Sequence, residues 1–306
     1  MAVLMHAEPI FKKIKEEVRR ELAAFKEEGI TPGLAAIIAT DNPPELLTAK
    51  KYVALKEADC REVGIYFEAH EICGYSPEDR EKALLGLIEK LNLRDDITGI
   101  LVQMPLPGFI NRERLLEKIN PMKDVDGLTP YNKGRMLSSY SLEEDLLPCT
   151  AVGIVQLLEY YRINPAGKDA VIVGRSDLVG RPLRILLEDR DATVTCLHRK
   201  TKNKYEKVAE GDLVVSAVGR PPELYREDSF RLTAELIKDG AVIVGVGGKR
   251  DPATGKMYFD VDVESVSEKA SYVTPNIGGV GLMTRARLLK NLISATRRLA
   301  EQVKPY

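Results

Sequence analysis

The sequence predicts an α/β fold of two α/β domains: an N-terminal domain built on an open sheet, and a Rossmann-like domain. We expect the C-terminal helix to pack back on the first domain. The 306 residues suffice for about two domains of ordinary size. Apolar segments of strand type alternate with amphipathic helical segments, which is typical of α/β folds. Residues 171–182, VIVGRSDLVGRP, read as strand, glycine turn and helix, the βα turn of a doubly wound sheet.

The first half of the chain alternates helix and strand. Apolar residues repeat at helical spacing over about 8–28, and Gly29 ends that helix. Residues 33–39 consist of one glycine and apolar residues, which predicts a buried strand. The later elements of this half are a helix over about 48–63, a strand over 65–72, a helix that Ser76 and Pro77 begin, a strand over 97–104 and a short helix near 112–119.

The second half continues the alternation. Strands are predicted over residues 170–174, 192–198, 212–218 and 241–246. A loop rich in Gly and Pro over 274–284 precedes a closing helix over 285–303. We therefore place the first domain at residues 1–147, joined by the C-terminal segment 285–306, and the Rossmann-like domain at 148–284.

Composition and charge exclude several classes of function. Hydrophobic residues make up 44% of the chain, and the net charge is −1, so neither nucleic acid nor an anionic membrane is expected as a partner. Apolar runs are too short to span a bilayer and nothing near the N-terminus reads as a signal peptide, so we expect a cytoplasmic protein. The four cysteines show no C-x-x-C spacing and the three histidines are few. Neither a disulfide framework nor a metal site is therefore expected.

The glycine turn is a candidate phosphate site. Residues 174–176, Gly-Arg-Ser, precede a predicted helix whose N-terminus is able to bind phosphate. The spacing G-x-S-x-x-x-G lacks the middle glycine of the dinucleotide fingerprint, so an ordinary tight βα turn explains it too. The next strand ends in Arg199 and Lys200, where NAD-binding proteins carry a carboxylate. Cations pair with a 2′-phosphate, so we expect NADP, and the alternative is a solvated basic loop.

Four polar residues of the first half are candidates for binding or catalysis. Tyr52 and Lys56 lie four residues apart, on one face of a predicted helix. Gln103 interrupts an apolar strand near its carboxyl end, where open α/β sheets bind ligands, and a buried amide requires hydrogen-bond partners. Asp126 lies in a turn beside Gly127. A solvated lysine and a turn-forming aspartate are the alternatives for Lys56 and Asp126.

Taken together, the motifs resemble those of the bifunctional methylenetetrahydrofolate dehydrogenase/methenyltetrahydrofolate cyclohydrolases. The patterns Y-V-x-x-K, LVQ-x-PLP, K-D-V-D-G and GRS-x-x-VG-x-P occur in the order of that family, from the first helix to the last. The segments that carry the resemblance are YVALKEADCREVGI (52–65), GILVQMPLP (99–107), INPMKDVDGLTPYNKGRM (119–136), PCTAVG (148–153), VIVGRSDLVGRP (171–182), DLVVSAVGRP (212–221) and TPNIGGVGLMT (274–284).

The resemblance implies roles for particular residues. Lys56, Gln103 and Tyr52 would be catalytic: Lys56 would serve the cyclohydrolase step, Gln103 would orient it, and Tyr52 would stack on the folate. Asp126 would pair with N–H donors of the pterin. The residues implied in folate binding are Tyr52, Lys56, Val102, Gln103, Met104, Asp126, Pro275, Gly278 and Gly279. The residues implied in NADP binding are Gly174, Arg175, Ser176, Arg199 and Gly248.

The same resemblance implies an enzyme of folate one-carbon metabolism. It would oxidise 5,10-methylenetetrahydrofolate to 5,10-methenyltetrahydrofolate with NADP, hydrolyse the product to 10-formyltetrahydrofolate, and work as a homodimer. The alternatives are a dehydrogenase without the hydrolysis, a non-catalytic nucleotide-binding protein, and an unrelated dehydrogenase of amino or hydroxy acids. The sequence departs from the family pattern at Ala49 (usually Ser), Gly245 (usually Asp), Gly248-Lys249 (usually Ile-Asn) and Asn276-Ile277 (usually Val-Pro).

Overall fold

The computed structural model describes residues 1–40 and 42–303, so the last three residues of the expected segment 285–306 lie outside the described residues. The chain forms two compact units. One consists of Met1–Lys12 with Thr150–Thr284, and we call it the Rossmann unit. The other consists of Lys13–Cys149 with Arg285–Tyr306, and we call it the open-sheet unit. The predicted fold class, with two α/β domains, is confirmed.

The strands and helices follow the predicted alternation. The strands are β1 Val3–Leu4, β2 Gly33–Ile38, β3 Tyr66–Glu71, β4 Gly99–Val102, β5 Asp169–Val173, β6 Thr193–Leu197, β7 Leu213–Ser216, β8 Val242–Gly245, β9 Gly248–Arg250, β10 Met257–Phe259 and β11 Tyr272–Val273. The helices are α1 Glu8–Glu27, α2 Pro43–Val63, α3 Pro77–Asn92, α4 Arg112–Lys118, α5 Pro130–Arg135, α6 Cys149–Tyr160, α7 Gly180–Glu188, α8 Lys204–Ala209, α9 Val263–Val266 and α10 Val280–Val303. Among the described residues, no helix has both the length and the apolar character of a membrane span.

The open-sheet unit is built on three parallel strands in the order β3-β2-β4. All residues of the central strand β2 are buried, as a run of apolar residues between two neighbouring strands requires. Strand β4 ends at Val102, earlier than the predicted limit of 104. Gln103 therefore lies just beyond the carboxyl end of β4, where its backbone N–H still donates to Ile37 O at 2.8 Å.

Helix α2 begins at Pro43, whereas the apolar spacing places its start near Thr48. The earlier start follows from capping, because the side chain of Asn42 accepts a hydrogen bond from the Glu45 N–H and proline is favourable in a first turn. The helix ends before Gly64, which has φ 95°. That left-handed conformation suits glycine and closes the helix through bonds to preceding carbonyls.

The Rossmann unit contains a six-stranded parallel sheet in the order β1-β11-β8-β7-β5-β6. Val3 of β1 lies opposite Tyr272 of β11, and this pairing explains why the first residues of the chain cluster with the Rossmann unit. The core of this unit includes Val171, Val214 and Ile243, one from each of three neighbouring strands. Strands β9 and β10 form a separate antiparallel pair.

Helix α10 begins at Val280, before the predicted start at 285. From residue 285 onward it belongs to the open-sheet unit. Asn291 is fully buried and its Nδ2 donates to Val125 O at 2.8 Å, while Thr296 Oγ1 donates to Thr98 Oγ1 at the same distance. These buried hydrogen bonds confirm the prediction that the C-terminal helix packs on the first domain.

Candidate active site

Lys56 and Gln103 form a hydrogen bond at the carboxyl end of the open sheet. Lys56 lies on α2 and is partly buried, and its Nζ donates to Gln103 Oε1 at 2.9 Å. The amide Nε2 of Gln103 donates in turn to Met104 O at 2.9 Å, so both ends of the amide are bonded. Tyr52, one turn earlier on α2, is 47% exposed. This geometry argues against a solvated Lys56 and presents an open aromatic ring beside it.

Asp126 lies in the turn that follows Lys123, and a different carboxylate stabilises that turn. Asp124 is buried and accepts hydrogen bonds from the N–H groups of Leu128, at 3.1 Å, and Thr129, at 2.8 Å. Asp126 is therefore not needed as the turn former. Gly127 has φ 69° and approaches the Leu147 carbonyl group so closely that a Cβ would lie 2.6 Å from its oxygen. Only glycine fits there, and its left-handed conformation turns the backbone directly after Asp126.

The electrostatics of Lys56 and Asp126 are coupled. Burial lowers the pKa of the Lys56 ammonium, and the Asp126 charge partly opposes that shift. Burial raises the pKa of the Asp126 carboxyl, and the Lys56 charge opposes that shift in the same way. Cys149, which faces both, is fully buried and has a pKa raised well above its ordinary value by burial, so it remains a neutral thiol. A lysine whose pKa is lowered and a carboxyl whose pKa is raised are suited to exchanging protons near neutral pH.

The glycine turn of the Rossmann unit lies between β5 and α7. Gly174 has φ 126°, and a Cβ there would meet Ala217 O at 2.5 Å. A Cβ at Gly180 would collide with the carbonyl of Gly174, so the turn and the first turn of the helix are in direct backbone contact. Arg175 and Ser176 are exposed, and Ser176 Oγ accepts from Val179 N–H at 3.2 Å. An exposed backbone turn at the N-terminus of a nine-residue helix fits a phosphate group.

Arg199 lies just beyond the carboxyl end of β6. Its Nη1 is 3.7 Å from Asp228 Oδ2, and both side chains are well exposed. An exposed pair at that distance is weak, so the guanidinium is available to a phosphate. These residues together fit a dinucleotide with a 2′-phosphate. No group of three or more His, Cys, Asp or Glu in the described parts of the chain could hold a metal ion.

The remaining residues implied by the resemblance lie in two places. Val102 ends β4 and is buried, and Met104 follows Gln103. Pro275, Gly278 and Gly279 belong to the Rossmann unit. Gly278 has φ 85°, its carbonyl accepts from Ala7 N–H at 2.8 Å, and a Cβ at Gly279 would lie 2.6 Å from Pro275 O. Gly248 begins β9, where a Cβ would lie 2.9 Å from the Phe259 ring.

Asp260 is a structurally important residue that sequence reasoning missed. It is fully buried, and its Oδ2 accepts from the N–H groups of Val218 and Gly219, both at 2.8 Å. Burial raises the pKa of Asp260, whereas these donors lower it. The contacts hold the loop after β7 at the carboxyl edge of the sheet, where the glycine turn also lies. The run YFDVD carries no local signal that its first aspartate has this role.

Comparison with known proteins identifies the family. The model of the tetrahydrofolate dehydrogenase/cyclohydrolase catalytic domain matches residues 5–126, and that of the NAD(P)-binding domain of the same family matches residues 148–300. The chain belongs to the tetrahydrofolate dehydrogenase/cyclohydrolase family. The family predicted from the motifs is therefore confirmed, and so is the prediction of a nicotinamide cofactor domain.

Individual members of the tetrahydrofolate dehydrogenase/cyclohydrolase family match along their whole length. The bifunctional protein FolD of Pyrobaculum calidifontis is 53% identical over 296 residues, which are 97% of this chain and 96% of that protein. The crystal structure of the bifunctional FolD enzyme from Campylobacter jejuni superposes with a TM-score of 0.85 at 38% identity, covering 98% of this chain and 100% of that one. The FolD structure from Trypanosoma brucei, which is complexed with NADP cofactor and an inhibitor, has a TM-score of 0.85 at 32% identity and covers 98% of both chains.

Proposed function

We propose that this chain catalyses two successive reactions: the NADP-dependent oxidation of 5,10-methylenetetrahydrofolate to 5,10-methenyltetrahydrofolate, and the hydrolysis of that product to 10-formyltetrahydrofolate. The observation that carries the proposal is the group Lys56, Gln103 and Asp126, in a chain that also has an NAD(P)-binding domain. A non-catalytic nucleotide-binding protein would have no need of a partly buried lysine bonded to an amide.

The oxidation depends on positioning more than on proton transfer. NADP, when bound, supplies the hydride acceptor. Arg175 and Ser176, with the backbone of Gly174, would hold its phosphates, and Arg199 would pair with the 2′-phosphate. Gly248 would line the same site. The two reacting carbons then need only the correct separation and orientation.

The hydrolysis requires proton transfer, which Lys56 is suited to perform. Water attacks the methenyl carbon, and neutral Lys56 accepts a proton from it as the carbon–oxygen bond forms. The bond from that carbon to N5 then breaks: the lysine returns the proton to the departing nitrogen, and the hydroxyl left on the carbon loses its remaining proton to solvent to become the formyl oxygen. Gln103 holds Lys56 in place through the 2.9 Å hydrogen bond.

Binding of the folate would use an aromatic side chain and a carboxylate. Tyr52 offers an exposed ring on which a flat pterin stacks. As a carboxylate, Asp126 accepts paired N–H donors of the pterin. Val102, Met104, Pro275, Gly278 and Gly279 would shape the remaining surface that meets the folate.

We also propose how these functions are divided along the chain. Residues 1–147 with the C-terminal segment 285–306 would form the folate-binding catalytic domain, and residues 148–284 the NADP-binding domain. The enzyme would act as a homodimer in the cytoplasm, as the resemblance to its family implies.

One assay tests the proposal. The purified protein is mixed with 5,10-methylenetetrahydrofolate and NADP, and formation of NADPH and of methenyl- and formyl-folate are followed together, with NAD as the control cofactor. Formation of NADPH with conversion to 10-formyltetrahydrofolate is expected. If the methenyl compound accumulates and disappears only at its spontaneous rate, the protein is a dehydrogenase without the hydrolysis. If neither reaction occurs, the proposed catalysis is refuted.

A further inference from the structure

A buried ion pair lies one helical turn along α2 from Lys56. Asp59 is 3% exposed, and Arg285 of α10 binds both oxygens of its carboxylate, with Nε–Oδ2 2.5 Å and Nη2–Oδ1 2.7 Å. Lys15 Nζ of α1 lies 3.1 Å from the same Oδ1. All four side chains belong to the open-sheet unit.

The Asp59 carboxylate is a competitor for the Lys56 ammonium. Residues three apart on a helix are neighbours on its surface, so Lys56 and Asp59 are placed to form an ion pair. A carboxylate with an open oxygen in such a dry place would hold an ammonium more strongly than a neutral amide does. Instead, Lys56 donates to the amide of Gln103. The guanidinium fork of Arg285 explains this choice, because it binds both oxygens at once, and Lys15 lies against Oδ1 as well.

We propose that Arg285 is a positioning residue for the hydrolysis: by holding Asp59 in a bidentate ion pair, it prevents that carboxylate from capturing Lys56 and leaves the lysine bonded to Gln103. The inference rests on the proposed function of Lys56. It adds Arg285, a residue of the last helix that lies 229 positions after Lys56 in the chain, to the residues that support hydrolysis.

The charged and titratable groups around Lys56 agree with this role. Those whose charge acts on it are Asp126 from the turn, Cys149 from α6, Cys60 from α2 and Arg285 from α10, while Asp59 on α2 is bound by Arg285 and Lys15 instead. Burial is the main cause that lowers the pKa of Lys56, and the Arg285 charge acts in the same direction. Removing Arg285 would take away that effect and free Oδ2 of Asp59, with Lys15 still at Oδ1, so both changes would favour the protonated lysine.

The test compares a single variant with a charge-balanced double variant of the full chain. Arg285→Leu should slow methenyl hydrolysis near neutral pH by about tenfold and move its pH profile about one unit to higher pH, since one pKa unit is a tenfold change in the neutral fraction. NADP reduction should change much less. Asp59→Asn combined with Arg285→Leu removes the competing carboxylate as well, and should restore hydrolysis to within about threefold of wild type.

A matched control separates positioning from stability. Arg298 lies on the same helix, and its Nη2 binds the buried Asp145 at Oδ1 with a distance of 2.5 Å. Arg298→Leu therefore breaks a comparable pair that does not face Lys56, and should leave the ratio of the two rates and the pH profile unchanged. If Arg285→Leu fails to fold, Arg285→Lys keeps the charge but loses the fork, and should give a smaller loss in the same direction.

Three results would overturn the inference: an equal fall of both activities in Arg285→Leu, an unshifted pH profile, or a double variant no faster than the single one. If wild-type protein hydrolyses no methenyl compound, the proposed function fails by itself. The position of Arg285 is still tested then by the pH dependence of Lys56 acylation with acetic anhydride, followed by peptide mass spectrometry. The pH midpoint of acylation should be higher in Arg285→Leu than in the wild type and should return toward the wild-type midpoint in the double variant. An unchanged midpoint in Arg285→Leu would refute the inference.

Discussion

Replacing Lys56 by methionine should separate the two proposed reactions. Methionine keeps the aliphatic stem, so packing beside the folate survives, while the ammonium that donates to Gln103 Oε1 at 2.9 Å is lost. Hydride transfer requires no protein base, whereas hydrolysis requires proton movement to and from water. The variant should therefore reduce NADP and release 5,10-methenyltetrahydrofolate as its product.

The size of the effect follows from the role assigned to the lysine. General acid–base assistance contributes about 100- to 10,000-fold in rate, which corresponds to about 2.7–5.5 kcal/mol of the activation barrier. The substitution also removes the cation that holds down the pKa of Asp126, while burial continues to raise it. Because Asp126 binds the pterin as a carboxylate, folate affinity falls when Asp126 is protonated. In the variant this loss of affinity on lowering the pH should begin at a higher pH than in the wild type.

The assay measures both rates in one preparation. The ratio of hydrolysis to NADP reduction should fall by at least about 100-fold in Lys56→Met, and folate affinity is titrated across pH to detect the shift of Asp126. A Val53→Ala variant, which changes a buried apolar residue of the same helix, is the control for general damage. Hydrolysis near the wild-type rate would show that Lys56 is not the proton carrier and would refute the mechanism.

Three further predictions follow from single contacts. Arg199→Ala should lower the affinity for NADP roughly 10- to 100-fold in a binding titration, with little effect on the affinity for NAD. An equal loss of affinity for both cofactors would show that Arg199, whose Nη1 lies 3.7 Å from Asp228 Oδ2, does not contact the 2′-phosphate. Asp126→Asn should impair both reactions through folate binding, because the amide replaces one of the two acceptor oxygens with an NH2 donor and so cannot accept paired N–H donors in a bidentate way, and unchanged folate affinity would contradict this. Arg287 is fully buried, with one bond to Asp145 O while its Nε and Nη1 have no partner among the described residues. Arg287→Met should therefore raise the free energy of unfolding by about 1–4 kcal/mol in denaturant titration, and destabilisation would contradict that reasoning.

Much of the fold was predictable because its signals are local. Apolar spacing separates helices from strands, and glycine and proline mark the turns, so the alternation of both halves and the βα turn at Gly174 were read from the chain alone. The errors lie at boundaries: α2 begins at Pro43 because Asn42 caps it, and α10 begins at Val280. Capping changes where a helix starts without changing the apolar pattern that predicts the helix.

Motifs and local patterns in the chain were enough to predict the family, the order of the elements and the polar candidates. Which of these candidates come into contact is visible only in the folded protein. Lys56 and Gln103 are 47 residues apart, and Asp59 and Arg285 are 226 apart, so neither hydrogen bond has a signal in local spacing. It is Asp124, not Asp126, that holds the turn before Leu128. Such contacts form only when distant segments are packed together and buried polar groups must find partners, which is a property of the closed core and not of any one stretch of chain.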